Sequence, residues 1–187
     1  VIAPRYSGRD LLPFQASEVE DLSRLKGFRE ISGNFGAIRE LIGDISNGVI
    51  HFTGHGIVKE SSSGLQTYEI LLEDGAVDVM TWRGLSADPL QGHPFYFFNA
   101  CDVGQVRSVA NFVEGWAPAV LGLGASGYIG GMWPLVDRSA AQFSGSFYRE
   151  VERRLARGDG VVVAEALKKA RLLFYETGDP TFLAYTY

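Results

Sequence analysis

The run "FYFFNAC", residues 95–101, constrains the fold more than any other stretch of the chain. Its aromatic residues are consecutive, with no polar residue between them. A strand with one wet face alternates apolar and polar side chains, so an unbroken apolar strand needs cover on both faces. Other strand-like runs are "VIHFT" at residues 49–53 and "GYIGGMWPLV" from residue 127, with a short first strand at residues 1–3. Helical patterns lie between them. "GNFGAIRELIGDISNG" puts Ile38, Leu41, Ile42 and Ile45 on one face, with Asn34 placed to cap it and Asn47-Gly48 to end it. "ASEVEDLSRLKG" carries Ser17 and Glu20 at capping-box spacing. "DRSAAQFSGSFYREVERRLARG" aligns Phe143, Phe147, Val151 and Leu155, and "VVVAEALKKARLLFYETG" is a last helix. "FVEGWAPAVLGLGA" reads as a short helix with a glycine-rich exit, and "TYEILLEDGAVDVMTW" as a hairpin around Asp74-Gly75. The expected fold class is α/β, a mostly parallel central sheet with helices on both faces, as one domain over residues 1–187.

Composition narrows the function. The hydrophobic fraction of 46% and charged fraction of 21% are those of a globular domain. A formal net charge of −5 offers no basic footprint, so neither direct nucleic-acid binding nor an anionic membrane is expected as a partner. No apolar run reaches the length of a membrane span. One cysteine excludes an internal disulfide and points to a reducing compartment, most simply the cytoplasm; a cysteine-rich zinc site is excluded too. The chain opens without Met on "VIAP" and stops on "PTFLAYTY", from which a fragment of a longer protein is expected.

Ligands of such sheets sit at the carboxyl ends of the strands. Gly54-His55-Gly56 and Asn99-Ala100-Cys101 both fall at such ends. Glycines around a polar side chain let backbone approach something closely. A cysteine nucleophile needs a base to form thiolate and N–H donors for the oxyanion of its tetrahedral intermediate. His55 offers the base, and the backbone N–H groups of Gly56 and Cys101 offer the donors. Taken singly, each also has a plainer reading: a His in a tight turn, and a buried small apolar Cys.

"VIHFTGHG" and "FYFFNACDVG" resemble the histidine and cysteine motifs of the CHAT domain, a bacterial caspase-like cysteine peptidase family related to separase. "GWAPAVLGLGASGYIGGMWPLVD" is similar to that family's helix, small-residue turn and strand ending in Trp-Pro-x-x-Asp. "SEVEDL", "AEALKKAR" and "GDPTFLAYTY" extend the match over most of the chain. The resemblance implies His55 as general base, Cys101 as nucleophile, and peptide-bond hydrolysis through an acyl thioester, with no third acid, metal or cofactor required. It implies a protein or peptide substrate and a regulatory or sensor partner or fused domain, some members acting in bacterial defence. The loops "KESSSGLQ" and "DVGQVRSVANFVEG" are the segments expected to gate entry.

By resemblance to separase, Asp137 lines a pocket for a basic residue before the scissile bond; helix capping is the other reading. Asp102 either faces the same pocket or is a solvated loop charge. Trp133 is read as pocket wall or core, His51 as a satisfied core histidine and His93 as an exposed turn residue. "GLGASG", residues 122–127, matches the dinucleotide fingerprint, but a helix leads into it and a strand follows, the reverse of what that site needs. Ser126 in "GASGY" lacks the final glycine of a serine-hydrolase elbow. Two rival functions remain at this level: a non-catalytic caspase-like scaffold, and an acyl transferase using the same dyad.

Overall fold

The computed structural model describes residues 1–44, 46–60, 62, 66–85, 92–109 and 112–187. A parallel core is formed by β1 (Val49–Thr53), β5 (Phe95–Asn99) and β8 (Gly127–Gly131), with β9 (Tyr185–Thr186) antiparallel at one edge, in the order β1-β5-β8-β9. Beyond β1, Ile2 alone bridges to Phe52 and to Ile31, so the first strand expected at residues 1–3 shrinks to single bridges.

The unbroken aromatic run of β5 has the cover it demands. Phe95 and Phe97 point into a cluster with α1 (Gln15–Leu22), α5 (Asp137–Arg157) and α6 (Val163–Glu176). Tyr96 and Phe98 point the other way, against α2 (Phe35–Gly43), α3 (Val79–Leu85) and α4 (Trp116–Gly122). Phe97 meets the rings of Phe147, Tyr148 and Tyr185 at centroid distances of 5.3, 5.8 and 5.8 Å. Such pairs add about 0.5–1.5 kcal/mol each beyond the area they bury. The sheet is therefore the middle layer of a three-layer α/β protein, as the apolar pattern requires.

Several local expectations change. The chain after His55 continues as β2 (Gly56–Glu60), which with β3 (Gln66–Leu71) and β4 (Ala76–Asp78) forms a small antiparallel sheet. The hairpin expected around Asp74-Gly75 is β3–β4, but "VMTW" belongs to α3. Ser17 does not cap α1: it lies inside the helix and its hydroxyl returns to the Phe14 carbonyl. Asn34 does cap α2, accepting from the Ala37 N–H, yet the helix ends at Gly43, before Asn47-Gly48; Ile45 lies outside the described residues. The segment after Cys101 is not an open loop. It pairs as β6 (Val106–Val109) and β7 (Phe112–Gly115), strengthened by an Arg107–Glu114 ion pair. The apolar stripe of α5 is buried at Phe143 and Phe147 but runs off the core, leaving Leu155 exposed. In the glycine-rich stretch 122–127, α4 indeed leads in and β8 follows.

Candidate active site

β1 and β5 are paired in parallel with Thr53 opposite Asn99, so the two polar motifs leave the sheet side by side. The N–H of Gly54 donates to the Asn99 carbonyl at 3.3 Å. The flanking glycines are explained by space. A Cβ on Gly54 would overlap the Tyr6 hydroxyl and the Phe52 ring, and one on Gly56 would overlap the carbonyl oxygen of Cys101. What the glycines admit is the protein's own backbone and a tyrosine hydroxyl, and the result is that the histidine and cysteine turns touch.

His55 is half-buried and oriented by the N-terminal segment. Its Nε2 lies 2.7 Å from the carbonyl oxygen of Asp10, an acceptor only, so Nε2 carries the hydrogen and the lone pair of the neutral ring is on Nδ1. The Tyr6 ring packs on the imidazole at 4.6 Å between centroids. The Tyr6 hydroxyl accepts from the His55 backbone N–H at 3.1 Å and donates to the Leu71 carbonyl at 2.8 Å, inserting itself into the start of the β2–β3 ladder. Burial pushes the phenol's ionisation up, which keeps that hydroxyl a donor. Because the Leu71 N–H donates directly to the His55 carbonyl, the antiparallel alternation turns the Gly56 N–H away from β3.

Cys101 is half-buried, and its Sγ accepts from the Leu135 N–H at 3.2 Å. Burial raises the thiol pKa; the Leu135 N–H opposes this and the neighbouring Asp102 adds to it. The resting thiol is therefore protonated at neutral pH. Asp102 adopts φ 59°, a left-handed turn conformation. Its carboxylate accepts from the Gln105 side chain at 2.6 Å, and burial raises its pKa. Gln105 also donates to the Met132 carbonyl at 3.0 Å, tying the turn to the end of β8.

Asp137 is the first residue of α5 rather than its cap, which is Val136. Its Oδ2 accepts from the Phe14 N–H at 2.8 Å, anchoring the start of α1. That bond occupies one of the roughly four lone pairs of a carboxylate. Trp133 lies in the loop between β8 and α5 and is 39% exposed. His93 is exposed, its Nδ1 bonded to the Gly124 carbonyl, and His51 is buried in the core. Of the "KESSSGLQ" loop, residues 61 and 63–65 lie outside the described residues. Among the described residues, no group of three or more His, Cys, Asp or Glu side chains is placed to hold a metal ion, and no helix is long and apolar enough to cross a membrane.

Three residues that shape the site lie outside the histidine and cysteine motifs: Tyr6, Asp10 and Glu18. Asp10 acts through its backbone carbonyl, which has no side-chain signature. Glu18 looks like a surface residue of "SEVEDL", but it precedes the buried Leu22 by one helical turn, and that spacing puts it on the inner face. Asn99, at the carboxyl end of β5, is buried.

A three-layer α/β fold whose adjacent parallel strands end in Gly-His-Gly and Asn-Ala-Cys turns defines a caspase-like protein. The family model of the CHAT domain matches residues 11–181, and the chain belongs to that family. The family is caspase-like and associated with cysteine-peptidase activity. No curated protein matches the chain.

Proposed function

We propose that the chain is a cysteine endopeptidase acting through a His55–Cys101 dyad. The observation that carries this reading is the contact of Gly56 with the Cys101 carbonyl, together with an imidazole whose Nε2–H is committed to Asp10 and whose Nδ1 is left as the base. In the reaction, Nδ1 takes the Sγ proton of Cys101 as the sulfur attacks the scissile carbonyl carbon. The N–H groups of Gly56 and Cys101 receive the oxyanion. As the tetrahedral intermediate collapses, His55 gives the proton to the leaving amine and an acyl thioester remains. Water, deprotonated by His55, then attacks the thioester; the carboxylic acid leaves and the proton returns to sulfur.

A raised thiol pKa supports a resting enzyme that waits for substrate or a regulatory partner before the proton moves. Asp137, Asp102 and Trp133 are the candidate walls of the specificity pocket, and the carboxylates favour Arg or Lys before the cleaved bond. The test is labelling with a library of peptide acyloxymethyl ketones on wild type, Cys101→Ala and His55→Ala. An adduct on Cys101, absent from both variants and strongest with basic peptides, is expected. Silence of the wild type with every peptide, in the presence of its physiological partner, refutes the reading.

A further inference from the structure

The chemistry of His55 and Cys101 leaves one buried acid unused. Glu18, on the inner face of α1, is 3% exposed. Its Oε1 accepts from Asn99 Nδ2 at 2.7 Å, Ser144 Oγ at 2.5 Å and His51 Nε2 at 3.0 Å, and its Oε2 from Thr53 Oγ1 at 2.7 Å. Four donors surround the carboxylate, three converging on Oε1 and one on Oε2. Two of these donors are themselves held in place. Tyr148 bonds His51 Nδ1 at 3.1 Å, and the Tyr185 hydroxyl donates to Asn99 Oδ1 at 2.5 Å.

Stability alone does not call for such a cluster, because apolar side chains of similar volume commonly fill buried polar sites at equal or better stability. Its placement is specific. Thr53 and Asn99 are register partners and the last residues of β1 and β5; the next residues along each strand lead directly to His55 and Cys101. Ser144 belongs to α5, and Gln15, one turn before Glu18 on α1, donates to the Thr53 carbonyl at 2.7 Å. One carboxylate therefore holds both strand ends and the helix behind them.

We propose that Glu18 is a positioning residue, fixing the ends of β1 and β5 against each other and against α5 and so setting His55 relative to Cys101. The proposal rests on the dyad reading above. Its test uses the single cysteine of the chain as a reporter. Alkylation by iodoacetamide is followed by mass spectrometry across roughly pH 5.5 to 10, the imidazole and thiol titration ranges. A working dyad gives the wild type a His55-dependent shoulder in this rate profile that His55→Ala lacks. With Glu18→Ala the His55-assisted rate is expected to fall on the order of tenfold or more, since a displacement near an ångström costs up to about a hundredfold. Thr53→Val, which removes one donor without changing the shape, lowers it less. Glu18→Gln keeps an acceptor for Asn99, Ser144 and His51 and restores the shoulder.

A merely structural role would lower the melting temperature in these variants and leave the shoulder in place. That outcome, in Thr53→Val and in folded Glu18→Ala, overturns the positioning role alone. If Glu18→Ala does not fold, Thr53→Val decides. A wild-type profile identical to that of His55→Ala overturns the dyad, and the positioning role with it.

Discussion

Gly56→Ala tests the contact on which the site depends. Gly56 has an ordinary backbone conformation, so the substitution introduces no φ strain; only space opposes it. The new Cβ would overlap the Cys101 carbonyl oxygen and press on its carbonyl carbon at 2.9 Å and on Val103 at 3.0 Å. Ordinary van der Waals separation is roughly 3.5 Å, so the histidine and cysteine turns must part by more than an ångström. Both are backbone at the ends of paired strands, and neither can relieve the clash by changing a rotamer. Overpacking of this kind costs about 1–3 kcal/mol. In a chain of this length each kcal/mol lowers the melting temperature by about 2–4 °C, giving a fall of about 2–12 °C. Under the proposed dyad, parting His55 and Cys101 by an ångström lowers turnover on the order of a hundredfold. The assays are a thermal melt and the rate of Cys101 acylation by a reactive peptide. A Gly56→Ala protein with wild-type melting and wild-type acylation would refute the reasoning, because the two turns would not then be in contact.

Asp137→Ala removes the acceptor for the Phe14 N–H and should destabilise the protein by about 1 kcal/mol, the usual worth of such an anchor. Asp137→Asn keeps an acceptor oxygen and should melt as wild type; loss of the proposed preference for Arg or Lys in that variant would identify the carboxylate as part of the pocket, and an unchanged preference would exclude it. Glu150 has its pKa lowered to about 2 by hydrogen bonds from Arg153 and then Arg154. Its folded value lies below the ordinary one of about 4.3, so the stabilisation is complete above that pH and is lost as pH falls through the folded value. Melting temperatures of wild type and Glu150→Gln should differ at neutral pH and converge between about pH 4 and about pH 2; a gap that stays constant through that window would refute the pairing.

The layer architecture was legible because it follows from periodicity. Consecutive aromatics in β5 cannot face water on either side, and the helical stripes around Ile38 and Phe143 supply the cover. The two site motifs were legible because Gly-His-Gly and Asn-Ala-Cys interrupt apolar strands at their carboxyl ends. The strand-to-helix boundaries were less so. Ser17 has capping chemistry but sits within a helix, where the position of the Phe14 turn, set by Asp137 more than a hundred residues away, overrides the local signal.

By itself the sequence determined which strands are buried on both faces and which residue types are available for chemistry at their ends, since side-chain polarity and spacing are local properties. Tertiary structure decided what those residues touch. It placed Thr53 beside Asn99, gave the Gly54 and Gly56 clearances to Tyr6 and Cys101, and turned a backbone carbonyl at Asp10 toward the His55 imidazole. It also made an acid in an ordinary helix pattern, Glu18, the buried link between both strand ends. Each of these is a contact between residues far apart in the chain, and only the folded path sets such distances.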